Sequence, residues 1–576
     1  MSTTTDMVEI KPKRPVTVRR PRKQIHETPR ILMADAYTIG SNPFESELAR
    51  EKSVYYSTYR KLLHDINPKL YKSDDTRIVF KGITRLVDYL LYEPITHEEI
   101  DEAKRFLEHQ LITGDGLTRY YFPEELWRRV VDEFDGWVPI KISAVREGTI
   151  VYPNEPVMVT ESTADGFGVL AAWPESKGLM TWAPTEMVTQ DEHWLLYLKT
   201  IVRRVFGDTL NEDEIDFQAR LALHNFGDRA GICPQESEWL GADTLFTFPG
   251  TDTFAGAYQF WKNNDEKIGS SMSVYALAHR NVQGFEHEFE AYRALYDFLQ
   301  PKQFGSFVAD AYDFWNGVEG DATGKDDSLL ALALESKKTG NGKVVVGRPD
   351  SGDAKEQVLW LCRLALKHGL YEEKVINGKV WRFSTYLKFI EGDGMTWEQM
   401  EDIMEALLLQ GFYPMSWGLF GVGGGLRNGL KRDNLSAKWA LCAIGNALKG
   451  VVKFSETLGK GTLPGPFKLL RTKEALDKKQ TIVFAHEPGE SILEPYYNGA
   501  LTTDPFYLEY YDSLGIKSPM QEWESEKQAR TREQLKTMPP TLSTEENHNY
   551  PASEAIRLER RMLLKKYAPK KLAQNY

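Results

Sequence analysis

The chain has 576 residues, a formal net charge of −12 and 41% hydrophobic residues. This length is enough for two or three domains with sizeable cores. The negative net charge argues against a general nucleic-acid binder. No apolar run is as long as the about 18 residues that a helix needs to span a bilayer. The N-terminus has basic residues but no apolar signal core. We therefore expect a cytoplasmic protein that binds neither nucleic acid nor membrane.

The cysteines Cys233, Cys362 and Cys442 are scattered along the chain without the spacing of metal ligands. Isolated thiols are typical of proteins in a reducing compartment. We expect all three to be buried, and we expect no metal site built by the protein alone.

The chain begins with a basic stretch, Lys11 to Lys23, inside residues 1–29. This composition favours a disordered tail over an arm that contacts an anion. In residues 30–185 helical stretches mix with strands such as Ile140–Val145, whose apolar and polar residues alternate. The low periodicity between Ser162 and Met187 predicts a long connection.

From residue 186 to 435 apolar strand-like runs alternate with helical segments, which predicts parallel βα units in a sheet or barrel. Asp353 stands at the N-terminus of a predicted helix over Ala354–His368, where a carboxylate is favoured. Thr396 opens a capping box at the head of another helix. Beyond these units, residues 436–515 return to mixed strands, and a polar extension follows with one short amphipathic helix near Ala555–Tyr567.

Between Lys343 and Leu426 one pattern occurs three times: an apolar run enters a polar, glycine-punctuated loop that opens a helical segment. The loops are Arg348–Asp353, Glu391–Gly394 and Gly421–Leu426. Such loops lie at one end of a parallel sheet, where α/β proteins keep their active sites. Two of them offer carboxylates for sugar hydroxyls, and the glycine run offers backbone amides for a phosphate. The set predicts a site for a ribose phosphate.

Further polar groups follow other apolar runs. A strand predicted at Leu245–Phe248 leads to Asp252, and the run from Ser273 leads to His279. Taken singly, an aspartate at a strand end is commonly a helix cap, and a lone histidine is more often structural than catalytic. Several such groups at strand ends favour an active site. The other polar groups that follow apolar runs are in His224–Arg229 and at Ser306 with Asp310.

In order and approximate spacing, these stretches resemble the nicotinamide phosphoribosyltransferases, within the nicotinate/nicotinamide phosphoribosyltransferase family, over about residues 30–460. Each stretch is short, but their combination is specific. The stretches are Ala34–Tyr37, His224–Arg229, Gly250–Gly256, Ser273–His279, Asp310–Asp313, Arg348–Gly352, Gly392–Gly394, and Phe420–Leu426 with Lys431–Asp433.

The resemblance implies transfer of 5-phosphoribosyl from 5-phosphoribosyl-1-pyrophosphate to nicotinamide, giving nicotinamide mononucleotide and pyrophosphate for NAD salvage. It implies magnesium bound through the diphosphate, coupling to ATP through a phosphohistidine, and a homodimer with active sites at the interface. The implied fold is α/β, with an incomplete (β/α) barrel-like domain beside a mixed α+β domain built from N-terminal and C-terminal segments. The expected layout is a disordered tail (1–29), the mixed domain (30–185 and 436–515), the barrel-like domain (186–435) and the polar extension (516–576).

By the same resemblance, Phe226 of one subunit and Tyr37 of the other would sandwich the pyridine ring. Asp252 would accept from the carboxamide NH2, and Arg348 would donate to its carbonyl oxygen. The further substrate-binding residues implied are Asp35, Arg229, Ser306, Gly392, Asp393, Gly423, Gly424 and Arg432, the last three for the 5-phosphate.

The implied catalytic residues are His279, as the phosphate acceptor from ATP, and Asp310 and Asp350. With Asp393, these aspartates would hold ribose hydroxyls or stabilise the positive charge that develops at C1 in an oxocarbenium-like transition state. Arg60 matches a nucleotide-phosphate arginine contributed across the dimer, although Arg50 competes for that alignment.

The sequence departs from the family pattern at several positions, including Ala278, where a glutamate commonly precedes the histidine, and Gly429, where relatives carry a basic residue. The alanine at 278 is expected to affect the coupling to ATP more than the transfer of phosphoribosyl. Two alternatives stay open. One is a nicotinate phosphoribosyltransferase, which Asp252 disfavours because it would repel a carboxylate. The other is a non-catalytic binding or signalling relative.

Overall fold

The computed structural model describes residues 28–60, 75–112, 114, 116–320, 327–392, 394–424, 429–455, 461–542 and 550–567. The predicted N-terminal tail lies outside these residues except for its last two. Asp393 lies outside them as well.

Short helices and antiparallel strands occupy the chain up to residue 180. Alternate residues of the third strand are buried, as its sequence pattern predicts. The helices are α1 (Ala36–Gly40), α2 (Glu47–Glu51), α3 (Ile83–Leu91), α4 (His97–Leu107), α5 (Glu124–Phe134) and α6 (Glu175–Leu179). The strands are β1 (Ser53–Thr58), β2 (Ile78–Val79), β3 (Ile140–Ala144), β4 (Ile150–Val151) and β5 (Pro156–Ser162).

Strands and helices alternate through the middle of the chain. The predicted helix caps are confirmed, because the Asp353 side chain accepts from the Glu356 N–H and Thr396 forms a capping box with Gln399. The helices are α7 (Trp182–Phe206), α8 (Glu212–Arg220), α9 (Pro234–Thr244), α10 (Phe254–Lys262), α11 (His279–Gln283), α12 (Glu288–Phe298), α13 (Phe314–Glu319), α14 (Leu329–Thr339), α15 (Ala354–Lys367), α16 (Trp397–Leu409), α17 (Pro414–Trp417) and α18 (Arg432–Leu435). The strands are β6 (Leu223–Asn225), β7 (Gly250–Thr251), β8 (Tyr275–Ala276), β9 (Phe304–Val308), β10 (Val344–Arg348), β11 (Tyr371–Ile376), β12 (Lys379–Ser384), β13 (Leu387–Glu391) and β14 (Gly418–Val422).

The C-terminal part returns to strands and then ends in helices. Its strands are β15 (Lys438–Ile444), β16 (Lys449–Gly450), β17 (Phe467–Leu469), β18 (Ile482–Phe484) and β19 (Glu494–Asn498). Its helices are α19 (Lys473–Asp477), α20 (Leu508–Ser513), α21 (Glu524–Thr537) and α22 (Glu554–Tyr567).

A six-stranded sheet in the order β16-β15-β1-β5-β3-β19 combines strands from both ends of the described chain. Neighbouring strands in it are antiparallel. Val54, Ile142, Val157 and Tyr496 are buried in its core. The N-terminal and C-terminal segments thus build one mixed α+β unit, which confirms that part of the predicted fold class.

A seven-stranded sheet in the order β7-β6-β14-β13-β10-β9-β8 contains parallel pairs throughout. A parallel bridge between Gly250 and Met272 brings its two edges together, so the sheet curls like a barrel. Helices α12, α14 and α15 pack against β9, β10 and β13. Phe307, Val345 and Trp417 are fully buried in this core. The predicted barrel-like α/β fold is confirmed.

Two sequence-based predictions of local structure were wrong. The chain at 162–187 is not a long connection, since it holds α6 and the start of α7. Two of its glycines allow close packing: a Cβ on Gly168 would lie 1.9 Å from the Ala49 carbonyl oxygen, and one on Gly178 would lie 2.6 Å from the Trp439 ring. Leu245–Phe248 is not a strand, because the amide of Phe248 bonds back to the Thr244 carbonyl and continues the turn after α9.

The C-terminal extension and one cysteine also differ from expectation. The extension contains α21 in addition to the predicted amphipathic helix, and α21 was missed because buried charged residues, such as Lys527, blur its apolar face. Cys362 and Cys442 are buried, but Cys233 is exposed because it stands at the N-cap of α9.

Candidate active site

Residues predicted for the site follow the carboxyl ends of all seven parallel strands. Because the strands run in one direction, these residues lie at one end of the barrel. In sheet order they are Asp252 after β7, Phe226 after β6, Gly423 after β14, Gly392 after β13, Arg348 at the end of β10, Asp310 after β9 and His279 beyond β8.

The Phe226 ring lies on a surface made of two glycines. A Cβ on Gly421 would lie 2.0 Å from the ring and one on Gly392 would lie 3.1 Å from it. The Phe226 amide donates to the Val422 carbonyl at 2.9 Å, which fixes the backbone beside β14. Glycine is therefore required at 421 by the close approach of an aromatic ring, a role that its place in a glycine run does not reveal.

Asp252 is held by two side chains, one from β6 and one from the segment that precedes β8. Its Oδ1 lies 2.9 Å from His224 Nε2 and accepts from Ser273 Oγ at 2.5 Å. Burial works against ionisation, but these hydrogen bonds and the charge of Arg348 hold the pKa of Asp252 below its usual value. The carboxyl group is therefore an ionised acceptor, and 39% of its side chain is exposed.

Arg348 adds a donor close to this acceptor. It ends β10, at the same end of the parallel sheet as Asp252, and its charge helps to lower the pKa of Asp252. The Nε atom of Arg348 is buried and has no hydrogen-bond partner among the described residues. A buried donor without a partner is unfavourable, so a ligand acceptor at this position would be stabilising.

His279 lies between two carboxylates. Its Nε2 is 3.2 Å from Asp310 Oδ1, and its Nδ1 is 3.8 Å from Asp350 Oδ2. Ser351 Oγ donates to the other oxygen of Asp310 at 2.6 Å. The imidazole is thus oriented by Asp310, as an acid–base or nucleophilic histidine must be. The sequence analysis selected His279, Asp310 and Asp350 as candidates, but it did not predict that the histidine lies between the two carboxylates.

A buried glutamate on α7 holds the segment that follows the glycine loop, and sequence reasoning missed it. Glu186 is 0% exposed, and it accepts from Asn434 Nδ2 at 2.5 Å and from the Lys431 N–H at 3.3 Å. Asn434 also donates to the Gly429 carbonyl. Burial raises the pKa of Glu186 to about 7, against the effect of these hydrogen bonds. This contact positions Arg432, on the same segment.

Arg60 lies on the mixed domain, next to that same segment. It donates from Nε to the Ser436 carbonyl at 3.0 Å and from Nη2 to Ser436 Oγ at 2.9 Å. Burial and the charge of Arg432 lower its pKa. Lys438 and Lys453 lie in the same region, and burial, followed by the charges of Arg60 and Lys453, lowers the pKa of Lys438 to about 7. The sequence analysis missed the two lysines because they approach Arg60 only when distant parts of the chain pack together.

The remaining predicted residues are dispersed. Arg229 is exposed near Phe226, and Ser306 is buried within β9. Asp35 is the N-cap of α1, and Tyr37 is 62% exposed on that helix. Burial, Glu175 and Asp35 raise the pKa of Tyr37. Within one chain the described residues show no ring contact between Tyr37 and Phe226.

The described residues contain no group of three or more His, Cys, Asp or Glu side chains that could hold a metal ion. In that same part of the chain, no helix has the length and apolar character to cross a membrane.

Comparison with known proteins identifies the family of this chain. The nicotinate phosphoribosyltransferase (NAPRTase) family matches residues 221–478. A nicotinamide phosphoribosyltransferase of Xanthomonas campestris pv. campestris (strain 8004) is 30% identical over 402 residues, which cover 68% of this chain and 80% of that protein. One of Acinetobacter baylyi (strain ATCC 33305 / BD413 / ADP1) is 24% identical over 456 residues, 72% of this chain and 82% of that protein.

The crystal structure of human nicotinic acid phosphoribosyltransferase superposes with a TM-score of 0.51 and 14% identity, covering 92% of this chain and 99% of that one, which shows the shared fold. The fold and the relatives together define a phosphoribosyltransferase, whose substrates are phosphoribosyl pyrophosphate and a pyridine. The chain belongs to the nicotinate phosphoribosyltransferase family.

Proposed function

We propose that this enzyme transfers phosphoribosyl to nicotinamide rather than to nicotinate. The observation that carries the proposal is the Asp252 carboxylate, held by His224 and Ser273 at the end of the barrel that also carries Arg348 and Phe226. An acceptor and a donor of this kind match the NH2 and the carbonyl oxygen of a carboxamide. The Phe226 ring supplies a face on which a pyridine can stack.

Electrostatics supports this choice of base. Two unit negative charges about 4 Å apart repel by about 4 kcal/mol at an effective dielectric of about 20. A nicotinate carboxylate beside Asp252 would meet that repulsion, because hydrogen bonds and Arg348 keep Asp252 ionised. Nicotinamide would instead donate to the same oxygen atoms.

For the transfer itself, the pyridine nitrogen attacks C1 of the sugar as the bond from C1 to the diphosphate oxygen breaks, and the diphosphate leaves with the electron pair. Positive charge develops at C1 on the way. We assign Asp310 and Asp350 to the sugar hydroxyls and to that charge, supported by their position around His279. The amides of the loop at Gly423 and Gly424, with Arg432, would hold the 5-phosphate. Magnesium, bound through the diphosphate, would neutralise part of its charge.

We further propose that His279 accepts a phosphoryl group from ATP and that the enzyme is a homodimer. The hydrogen-bond distance from Asp310 supports an oriented imidazole that could act as a nucleophile. Arg60 would bind nucleotide phosphate. The high exposure of Tyr37, away from Phe226, supports a role for Tyr37 in the site of a second copy.

The direct test supplies phosphoribosyl pyrophosphate and magnesium with one base at a time and separates the nucleotide products by chromatography. We expect nicotinamide mononucleotide and pyrophosphate in equal amounts, and a lower kcat/KM for nicotinate. Preferential formation of nicotinate mononucleotide would contradict the proposed base, and no product from either base would favour a binding role.

A further inference from the structure

The buried ring of His224 lies between two glycines, on the same face of the parallel sheet as Phe226. Parallel pairing sets His224 opposite Gly421 of β14 and Gly250 of β7. A Cβ on Gly250 would lie 2.8 Å from His224 Nδ1, so the ring occupies the space that a side chain there would need. The His224 side chain is only 7% exposed. The two glycines thus make room for an imidazole directly beneath the candidate site.

The imidazole contacts both groups that the proposed function assigns to the base. Its Nε2 lies 2.9 Å from Asp252 Oδ1. Its ring centre lies 5.1 Å from that of Phe226, with an angle of 53° between the two planes. Tilted aromatic rings at this separation attract each other. One side chain therefore joins the hydrogen-bond acceptor to the stacking ring.

The proton of the contact with Asp252 is on the histidine. Burial opposes the ionisation of Asp252, and the hydrogen bond with His224 is the largest of the effects that lower its pKa. Because an ionised carboxylate can only accept, Nε2 of His224 carries the hydrogen and donates it. A hydrogen bond to a charged acceptor is stronger than one between neutral groups. The contact therefore both orients the carboxylate and keeps it ionised.

A histidine can also serve packing alone, and this chain contains an example for comparison. His193, half-buried on α7, donates from Nε2 to the Arg77 carbonyl at 3.0 Å and so joins that helix to the residue before β2. His224 differs, because its acceptor is a side chain at the end of the barrel that carries the candidate site. Loss of the His224 donor would change the site itself.

We propose that His224 is a positioning residue for the base: its Nε2–H holds the Asp252 carboxylate and its ring supports Phe226, so that two contacts of the base depend on one imidazole. This inference rests on the proposed function for the roles of Asp252 and Phe226. It does not rest on the choice between nicotinamide and nicotinate, so the two can fail separately.

Steady-state kinetics of the full chain, with one substrate varied at a time, tests this role. His224→Leu removes the donor at similar size, whereas His224→Gln keeps an N–H near the position of Nε2. We expect His224→Leu to lower kcat/KM for nicotinamide by about tenfold or more, the loss expected for a hydrogen bond to a charged group. The KM for phosphoribosyl pyrophosphate should not change, and His224→Gln should recover most of the loss.

Further variants separate positioning from stability. His193→Leu should leave the constants for both substrates unchanged, and thermal unfolding checks that each variant is folded. In an Asp252→Asn background, His224→Leu should lower kcat/KM for nicotinamide less than it does in the wild type, because the group that His224 holds is already altered. Should His224→Leu unfold early, His224→Asn takes its place, since the shorter amide does not reach the position of Nε2.

A folded His224→Leu variant with wild-type kcat/KM for both bases would overturn the proposal. So would equal losses for the base and for phosphoribosyl pyrophosphate, or equal losses in His224→Leu and His224→Gln. A wild type that prefers nicotinate would contradict the proposed function, whereas a selective loss for that base in His224→Leu would still assign His224 to positioning.

Discussion

His224 Nε2 lies 2.9 Å from Asp252 Oδ1, and Ser273 Oγ donates to the same oxygen. Both hydrogen bonds are to Oδ1 and come from other parts of the barrel, so they fix the orientation of the carboxylate. The pair is formed across the neighbouring strands β6 and β7, whose register is fixed by parallel pairing. A carboxylate held in this way is ionised and pre-oriented, as a group that accepts a hydrogen bond from a carboxamide must be.

Gly421→Ala should displace the Phe226 ring, because the new Cβ would lie 2.0 Å from it. Overpacking of this kind costs about 1–3 kcal/mol. We expect a raised KM for the base with little change in the KM for phosphoribosyl pyrophosphate. Gly423→Ala is the comparison: its Cβ would meet only the Phe226 carbonyl at 3.5 Å, and its effect should fall on the sugar substrate. The same effect on both KM values in both variants would contradict the division of roles.

Glu186→Ala should loosen the segment that carries Arg432, because Asn434 and the Lys431 N–H would lose their acceptor. We expect a KM for phosphoribosyl pyrophosphate raised about tenfold, from the loss of hydrogen bonds to a charged group. Asp191→Asn is the control, since Asp191 is buried on the same helix and its oxygens have no partner in the described structure. If Asp191→Asn raised this KM equally, the effect of Glu186→Ala would be explained by a general loss of stability.

The same glutamate predicts a pH dependence. Since the pKa of Glu186 is raised to about 7, its carboxylate is charged above that pH and gains a proton below it. The protonated acid offers one acceptor fewer, so the KM for phosphoribosyl pyrophosphate should rise as the pH falls through 7. Glu186→Gln should flatten that limb of the profile. If the rise of this KM at low pH were unchanged in Glu186→Gln, another titrating group would be responsible for it.

Much of the candidate site could be predicted from local sequence, because most of the apolar runs that lead into glycine and aspartate in this chain are strands of the parallel sheet. Asp310, Arg348 and Gly392 were found in this way. The contacts among side chains could not be predicted: Glu186 and Asn434 are 248 residues apart, and only the packing of α7 against α18 brings them together. Leu245–Phe248 was mistaken for a strand because a buried turn and a buried strand share the same apolar composition.

A shared active site predicts complementation between subunits. Tyr37→Ala and Asp350→Ala homodimers should each be nearly inactive. After subunit exchange, about half the dimers are mixed and each has one intact site, so activity should return to about a quarter of wild type. No recovery, despite heterodimers demonstrated by mass spectrometry, would mean that each chain builds its site alone.

The most direct test of the account is competition between the two bases in one reaction, for the wild type and for Asp252→Asn. Because the ionised Asp252 would repel a carboxylate, we expect the wild type to favour nicotinamide strongly. In the variant, where the neutral amide no longer repels a carboxylate, the ratio of kcat/KM for nicotinamide to that for nicotinate should fall by at least about tenfold. A wild type that favours nicotinate, or a ratio that Asp252→Asn leaves unchanged, would contradict it.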